Sequence, residues 1–227
     1  MTTSPEAKPS PKPASGLPER RVLQGRFGRL EPLEEGKHAE SLWRAVEGAD
    51  PMWHYLPYGP WKDETSFRSW LKERQALADP LYYAVVDNKS GRALGCVTLM
   101  RIDQPNGCIE TGHIFYSPAL QKTPLATEAV FLEAKHVFDD LGYRRFEWKC
   151  DNANEPSRRA AKRFGFVFEG VFRQHLIVKG RNRDTAWFSI IDGEWPARKR
   201  AFERFLSPEN FYADGRQKES LSLLNGA

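Results

Sequence analysis

The residues best suited to chemistry begin at a helix start in the segment LQKTPLATEAV, residues 120–130. Thr123 is a favoured N-cap residue, and Pro124 follows at the position where a helix best accepts proline. The first backbone N–H groups of a helix and the positive end of its dipole favour an anion, and proline removes only one of those donors. The segment therefore predicts a phosphate-binding helix start, with an ordinary capped helix as the alternative.

Two other segments carry side chains that could act on a ligand held there. The predicted strand CIETGHIFY, residues 108–116, contains Glu110 and His113. Side chains three positions apart point to opposite faces of a regular strand, so only a β-bulge would bring these two together. The segment NEPSRRAAKRF, residues 154–164, predicts a helix with Ser157 near its start.

Charged and aromatic groups cluster in two further places. The helix of residues 154–164 carries Arg158, Arg159, Lys162 and Arg163, which is typical of a solvated helix face, the alternative being attraction of a phosphate. The stretch DPMWHYLPYGPW, residues 50–61, holds several rings. Most of these rings are expected to pack on the core, and one or two could contact an amine through stacking or cation–π interaction.

The elements that must position these groups follow from hydrophobic periodicity. A short strand within GRFGRLEPL comes first and ends at Pro32. The predicted elements after it are helices 34–48 and 64–78, strands 81–87, 92–102 and 108–116, helix 123–141, strand 144–150, helix 154–164, a hairpin over 166–192, and helix 193–206.

The order β-α-α-β-β-β-α-β-α-β-β predicts an α/β sandwich with a mixed, mostly antiparallel sheet of about seven strands. The fourth strand, the long helix and the fifth strand form a βαβ unit, so these two strands should run parallel. Two parallel strands inside an otherwise antiparallel sheet can separate and leave a slot. Such a slot would suit an extended ligand.

Composition limits the classes of function. The 227 residues are 40% hydrophobic and 28% charged, which favours one packed domain with extensions. The net charge of +4 comes from basic residues scattered among acids, unlike the concentrated patch of a nucleic-acid binder. The three cysteines have no CxxC spacing, which argues against a disulfide framework and a zinc site and favours a reducing cytoplasm.

Both ends of the chain differ from the middle. Residues 1–20 are rich in proline and lack an apolar stretch for a signal peptide, so they predict a disordered tail. Residues 21–206 predict the folded domain, and residues 207–227 a C-terminal tail in which FY and LSLL could dock locally. No run reaches the roughly eighteen apolar residues of a membrane span. We therefore expect a cytoplasmic protein that binds neither membrane nor nucleic acid.

Several of these segments together resemble one known family. The element order, ATEA at the start of the long helix, NEPSRRAAKRFGF and the closing GRNRDTAWFSIIDGEW are similar to the GNAT superfamily of acyl-CoA-dependent N-acetyltransferases. The most similar branch is the RimJ/RimL type, which acetylates protein N-termini and small amines. The resemblance runs from about Gly25 to Trp195 and implies a three-layer sandwich with a splayed pair of parallel strands.

The resemblance implies a site for acetyl-CoA, the acyl donor. In the family, the loop before the long helix holds the coenzyme A pyrophosphate, the strand before it pairs with pantetheine, and the next helix start adds contacts. Pro124 stands in that loop where the family has glycine. The matching donor-site positions are Gln121, Lys122, Thr123, Leu125, Ala126, Thr127, His113, Ile114, Phe115, Asn154, Ser157 and Arg158.

The resemblance also implies catalytic roles. Glu110 matches the proposed base, acting directly or through water, and His113 is the second candidate. Ser157 matches a serine that hydrogen-bonds the leaving thiolate, and Ala161 stands where many members have a tyrosine. The alternatives are a strand carboxylate facing solvent for Glu110 and structural roles for His113 and Ser157.

We therefore predict transfer of acetyl from acetyl-CoA to a primary amine of a small molecule. Direct attack without an acyl-enzyme is expected, because the cysteines have no evident histidine–acid partner. The alternatives are acetylation of a protein N-terminus and a non-catalytic acyl-CoA-binding regulatory domain. No metal is expected, and the protein is predicted to be a monomer or a homodimer.

Overall fold

The computed structural model of the protein describes residue 14 and residues 16–226. Residues 1–13 and 15, which make up most of the predicted N-terminal tail, lie outside the described part, as does residue 227. No helix among the described residues is both long and apolar enough to cross a membrane.

The strands and helices follow the predicted order, with one additional short strand and one additional short helix. The strands are β1 Leu23–Gln24, β2 Gly28–Pro32, β3 Leu81–Asp87, β4 Ala93–Asp103, β5 Cys108–Tyr116, β6 Arg145–Asp151, β7 Val167–Val178 and β8 Arg181–Ile191. The helices are α1 Glu35–Val46, α2 Glu64–Gln75, α3 Pro124–Lys135, α4 Glu155–Arg163, α5 Trp195–Leu206 and α6 Leu221–Leu224.

The strands form one eight-stranded sheet in the order β1-β2-β3-β4-β5-β6-β8-β7. Neighbouring strands are antiparallel except β5 and β6, which are parallel. This parallel pairing is confined to residues 108–111 of β5 and 145–148 of β6. Beyond it the two strands separate, and we call the gap between residues 112–116 and 149–151 the slot. The predicted α/β fold with its splayed parallel pair is confirmed.

Helices cover both faces of the sheet. α3, α4 and α5 lie on one face over a core that includes Val130, Phe146 and Phe202. α1 and α2 lie on the other face over a second core that includes Leu42 and Phe67. Below, the two sides are called the α3–α5 face and the α1–α2 face.

The segment GRFGRLEPL contains the turn and the second strand, β2, of a hairpin whose first strand, β1, comes just before it, which gives eight strands instead of about seven. Its turn is held by Glu128 of α3, whose carboxylate accepts the backbone N–H groups of Arg26, Phe27 and Gly28 at 2.6–2.9 Å. A Cβ atom on Gly25 would lie 2.5 Å from this carboxylate carbon, so glycine is required there. The extra strand depends on a residue 100 positions away.

The long helix ends differently from the prediction. The α-helix stops at Lys135, and His136–Asp140 form a π-helical turn in which the Leu141 N–H donates to the His136 carbonyl. Asp139 accepts from Trp195 and Lys199 of α5. These contacts with α5 help to fix the wider turn. The hydrophobic periodicity of the sequence does not indicate them.

Residues 207–226 lie against the domain. Phe211 contacts the rings of Phe27 and Phe205, and α6 packs on α5 and α4 with Leu221 fully buried. Asn210 is buried and donates to the carbonyls of Phe205 and Glu219. Both segments expected to dock, FY and LSLL, therefore contribute to the α3–α5 side of the molecule.

Candidate active site

The start of α3 has the predicted cap. The Thr123 hydroxyl accepts the Ala126 N–H at 3.1 Å, and Pro124 is the first residue of the helix. Lys122 adopts a left-handed φ of 61°, which turns the chain into the helix. The backbone N–H groups of Lys122 and Leu125 have no acceptor within the described residues, whereas that of Ala126 is used by the cap. Two backbone donors and the helix dipole therefore remain for an anion.

Neighbouring side chains keep negative charge away from this helix start. Glu128, the acid in the first turns of α3, points towards the β1–β2 turn and is 3% exposed. The Thr127 hydroxyl accepts from Arg163 of α4 at 3.0 Å. Gln121 donates its side-chain amide to the Tyr116 carbonyl at the end of β5. Both the loop and the adjoining helix are thus fixed, and the residues present fit a pyrophosphate group.

A β-bulge in β5 forms one wall of the slot. Gly112 lies opposite Thr98 and Phe115 lies opposite Cys96, so two residues, His113 and Ile114, face the single residue between. His113 has a left-handed φ of 47°. From Gly112 onward, β5 pairs only with β4 among the described residues, so its other edge faces the slot. This edge contains the predicted pantetheine-pairing residues, His113, Ile114 and Phe115.

The bulge brings Glu110 and His113 to the same face. Thr111 donates to Glu133 of α3, so its neighbour Glu110 faces the α1–α2 side. The His113 ring stacks between Tyr58 and Tyr82 on that side, with centroids 5.5 Å and 5.6 Å away. A regular strand would have separated the two candidate bases.

Glu110 belongs to an ion-pair network. It is 4% exposed, and its Oε2 atom accepts from Arg101 at 2.9 Å and from Lys149 at 2.8 Å. Lys149 also pairs with Glu147 at 2.6 Å and lies 3.9 Å from the centroid of the Trp187 ring. The Oε1 atom of Glu110 has no partner within the described residues. The network fixes the carboxylate and leaves one oxygen available.

His113 lies in a positive environment. Burial, followed by the charges of Arg74, Arg101 and Arg183, lowers its pKa to about 4. The imidazole is therefore neutral at pH 7. The Tyr58 hydroxyl lies 3.4 Å from the His113 carbonyl and links the α1–α2 loop to the bulge.

Ser157 and Asn154 lie at the opposite wall of the slot. Asn154 caps α4, accepting the Ser157 N–H at 3.2 Å, and its side-chain N–H groups have no acceptor within the described part. The Ser157 Oγ atom accepts the indole N–H of Trp148 at 3.0 Å, which leaves the hydroxyl hydrogen free to donate. The Cys150 thiol also lies beside this hydroxyl. Both predicted residues are positioned for roles at the slot.

The basic side chains of α4 are less available to bind a phosphate than the sequence suggests. Arg163 is engaged with Thr127 and lies over the Phe205 ring. Arg158 and Arg159 pair with Glu155 at 3.4 Å and 3.3 Å. Such exposed pairs are weak, so Arg158 can still exchange its partner for a phosphate.

A loop and a hairpin turn cover the α1–α2 side of the slot. Residues 49–63 form most of the loop between α1 and α2, and residues 179–181 include the turn between β7 and β8 and the first residue of β8. The Lys179 ammonium donates to the carbonyls of Trp53 and Gly59 at 2.8 Å and 2.7 Å, and Arg181 donates to the carbonyl of His54 at 3.2 Å. These contacts join the loop to the hairpin on this side of the slot.

Four residues that contribute to this geometry were not predicted from the sequence: Trp148, Lys149, Lys179 and Arg183. Alternation on β6 places Trp148 and Lys149 on opposite faces, which could have indicated that this strand serves both sides of the slot. The contacts of Lys179 with the carbonyls of Trp53 and Gly59, and the effect of the Arg183 charge on His113, have no signal in the local sequence.

Comparison with known proteins identifies the family. Residues 29–167 match the family model described as an acetyltransferase (GNAT) domain. A crystal structure of a GCN5-related N-acetyltransferase from Brucella melitensis is 50% identical, covers 95% of this chain and 98% of its own, and superimposes with a TM-score of 0.92. The chain belongs to the GNAT family.

Other relatives agree with this GNAT assignment. An acetyltransferase structure of the GNAT family from Chromobacterium violaceum is 45% identical, covering 86% of this chain and all of its own with a TM-score of 0.77. YdaF of Bacillus subtilis (strain 168), whose name describes a ribosomal N-acetyltransferase, is 28% identical over 109 residues, which are 48% of this chain and 59% of YdaF. The alignment thus spans little more than half of that relative. The predicted family is confirmed, and the YdaF match supports the RimJ/RimL-type branch.

Proposed function

We propose that this GNAT protein transfers acetyl from acetyl-CoA to a primary amine of a small molecule by direct attack. The observation that carries the proposal is the slot, which has the unpaired edge of β5 on one side and Asn154 and Ser157 on the other. It leads from the capped start of α3 to the Glu110 network on the opposite face. A donor can enter from one face and an acceptor from the other.

Donor binding would use backbone groups first. The free N–H groups of Lys122 and Leu125 would hold the pyrophosphate, with the Lys122 ammonium adding charge. The β5 edge from His113 to Phe115 would pair with the pantetheine amides, and the Asn154 side-chain amide would donate from the other wall. Arg158 is the candidate for the 3′-phosphate.

The acceptor amine must lose a proton before or during attack. Glu110 is the first candidate base, because its Oε1 atom is free while two cations fix the carboxylate through Oε2. The free Oε1 atom could take this proton directly or through a water. His113 is neutral, but with a pKa of about 4 it would hold a proton weakly.

The leaving sulfur needs a hydrogen-bond donor. Ser157 can provide one, because Trp148 already donates to its oxygen and its own hydrogen can turn from the Cys150 thiol to the leaving sulfur. A serine hydroxyl is far less acidic than a thiol, so we propose that Ser157 stabilises the thiolate without transferring its proton. The proton released by the amine completes the free thiol.

A covalent acyl-enzyme is disfavoured by the state of the thiols. Burial raises the pKa of Cys150, with only partial opposition from the Ser157 hydroxyl and nearby arginines, and burial also raises the pKa of Cys108. Both thiols are therefore protonated at pH 7, whereas the nucleophile in such chemistry is the thiolate.

The covered acceptor side favours a small acceptor over a peptide. Lys179 and Arg181 tie the loop of residues 49–63 to the hairpin turn, and the Tyr55 hydroxyl donates to the Ala153 carbonyl at 3.1 Å on the other side. A long chain would have to displace these contacts. Acetylation of a protein N-terminus remains the second candidate, supported by the name of YdaF.

The test is mass spectrometry of a panel of small amines and short peptides incubated with the protein and acetyl-CoA. We expect a gain of one acetyl group on small amines. Transfer to peptides alone would favour the second candidate. Tight binding of acetyl-CoA without transfer to any amine or peptide would contradict the enzyme and favour a regulatory domain.

Glu110→Gln tests the proposed base. We expect slower turnover, most strongly at low pH where the acceptor is mainly ammonium, with little change in acetyl-CoA affinity because Glu110 faces away from the donor side. A pH–rate profile identical to that of the wild type would transfer the role to His113 or to water.

A further inference from the structure

Arg183 lies at the acceptor side of the slot. β8 pairs with β6 only from Thr185 onward, so Arg183 extends past the end of β6, level with the part of β5 that has separated. Its Nε atom donates to the Thr185 hydroxyl at 3.2 Å. Thr185 and Trp187 share one face of β8, and the Trp187 ring lies against Lys149. The guanidinium is therefore on the α1–α2 face, where the acceptor would bind.

No carboxylate of the described residues forms an ion pair with this guanidinium, although the charges of Asp151 and Glu110 act on it from a greater distance. Lys149 has Glu110 and Glu147, and Arg101 has Glu110. Arg183 forms no ion pair with any residue of the described chain, and its two terminal nitrogens have no hydrogen-bond acceptor there. Arg183 is partly buried, and burying a cation is costly unless an anion is supplied.

The guanidinium is also fixed in orientation. The Thr185 hydroxyl is 1% exposed and lies 2.9 Å from the Nδ1 atom of His175, so it links Arg183 to the bulged part of β7. The planar fork of an arginine held by its Nε atom presents two parallel N–H donors, which match the two oxygens of a carboxylate. A cavity of about 740 Å³ adjoins this point, lined by Phe172, Arg173, Gln174 and His175.

The electrostatic environment agrees with this geometry. The charges that act on the His113 ring are those of Arg74, Arg101 and Arg183, and all three lower its pKa. The acceptor side at the bulge is thus positive, although the amine itself must approach Glu110. A ligand with an amine at one end and an anion at the other would match both features.

We propose that the acceptor is an amino carboxylate, a primary amine whose carboxylate is bound by Arg183 while its amine lies at the slot near Glu110. This inference rests on the acetyl transfer proposed above. The amine nitrogen bonds to the thioester carbonyl carbon and the C–S bond breaks. The sulfur leaves with the electron pair and takes up the proton that the amine loses. The products are an N-acetyl amino carboxylate and free coenzyme A.

The experiment compares matched pairs of acceptors: phenylalanine with phenylalaninamide, and γ-aminobutyrate with its amide. For each pair, kcat/KM is measured for the wild type and for Arg183→Gln. We expect the acid-to-amide ratio to fall about tenfold to a hundredfold in the variant, mainly through KM, as for loss of a charge-assisted hydrogen bond. The acid and the amide differ in the basicity of their amines, but this difference cancels when the ratio for the wild type is compared with that for Arg183→Gln, since both proteins are measured with the same acceptors.

Arg44→Gln is the control. Arg44 lies on the exposed side of α1, far in sequence and position from the slot, and its side chain is 71% exposed. This variant removes the same charge, so its acid-to-amide ratio should equal that of the wild type. Phosphoethanolamine extends the panel, and a preference for it over every carboxylate would overturn the proposed acceptor class.

A binding measurement makes the outcome independent of turnover. With coenzyme A saturating, the acids should raise the melting temperature of the wild type more than the amides do, and this difference should vanish in Arg183→Gln. Equal shifts, or an unchanged kcat/KM ratio in the variant, would overturn the role of Arg183. Wild-type acetylation of amides in preference to acids would also overturn it, yet leave the acetyltransferase proposal intact.

Discussion

At the scale of single residues, the role proposed for Ser157 depends on its neighbour Trp148. Because Trp148 donates to Oγ, the hydroxyl hydrogen is directed elsewhere. We expect Ser157→Ala to lower kcat about tenfold to a hundredfold, as for loss of a charge-assisted hydrogen bond of about 1.5–3 kcal/mol. The dissociation constant of acetyl-CoA, measured by calorimetry, should barely change, because the ground-state thioester carries no such charge. An unchanged kcat would leave Ser157 only a structural role.

His113 gives a second prediction at this scale, for stability against pH. Its pKa is lowered from 6.5 to about 4 in the folded protein, so between these values the unfolded chain binds a proton that the folded protein does not. This histidine therefore destabilises the fold as the pH falls through that window, by at most about 3 kcal/mol. His113→Asn, which does not titrate and tolerates the left-handed backbone, should flatten this part of the profile.

The measurement for His113 is urea unfolding at several pH values between 4 and 7.5. Burial also lowers the pKa of His136, but that effect is present in both proteins and cancels in the comparison. Parallel profiles for the wild type and His113→Asn would mean that the ring is protonated as easily in the folded protein as in the unfolded chain.

At the scale of elements, the start of α3 is tied to the β1–β2 hairpin through Glu128. Both carboxylate oxygens accept backbone N–H groups, and a glutamine would place its NH₂ group against one of those donors. We expect Glu128→Gln to lower the free energy of unfolding by about 1–3 kcal/mol and to weaken acetyl-CoA binding. Urea denaturation and calorimetry measure the two effects. Glu40→Gln, on the exposed side of α1, should change neither.

The start of α3 could be predicted from the sequence, whereas the β1–β2 hairpin attached to it could not. The Thr123–Pro124 start of α3, the parallel β5–β6 pair and the Asn154 cap follow local rules, and all three are present in the structure. The β1–β2 hairpin and the π-helical end of the long helix depend on distant partners, so periodicity could not indicate them. The sequence indicates the bulge at His113 only as an alternative to a regular strand. The position of an extra residue in a strand depends on its register with the neighbouring strand, here β4.

In the candidate site, too, residues with a local sequence signature could be predicted, and contacts between distant elements could not. Residues at helix starts could be named because caps have a local signature. The environment of Glu110 could not, since Arg101 and Lys149 come from strands on either side of β5. Arg183 has no such signal for a related reason: it differs from other arginines by forming no ion pair within the described residues, and the sequence around it contains several acids.

At the scale of the whole molecule, the sheet consists of two halves, β1–β5 and β6–β8, and within the described residues their strand pairing is confined to residues 108–111 of β5 and 145–148 of β6. A donor lying in the slot would contact both halves. We expect saturating coenzyme A to slow amide hydrogen exchange in β6 and β8 as well as in β5 and α3. Protection gained only in β5 and α3 would show that the donor contacts one half alone.

The interrupted pairing has a consequence for the lifetime of the protein. If the donor supplies contacts that the sheet lacks where β5 and β6 separate, the population of locally opened molecules depends on how much donor surrounds them. Proteases cut opened chains, so digestion should be fastest when coenzyme A and its thioesters are scarce. The amount of this protein would then follow the supply of coenzyme A and its thioesters, through the geometry of a single gap.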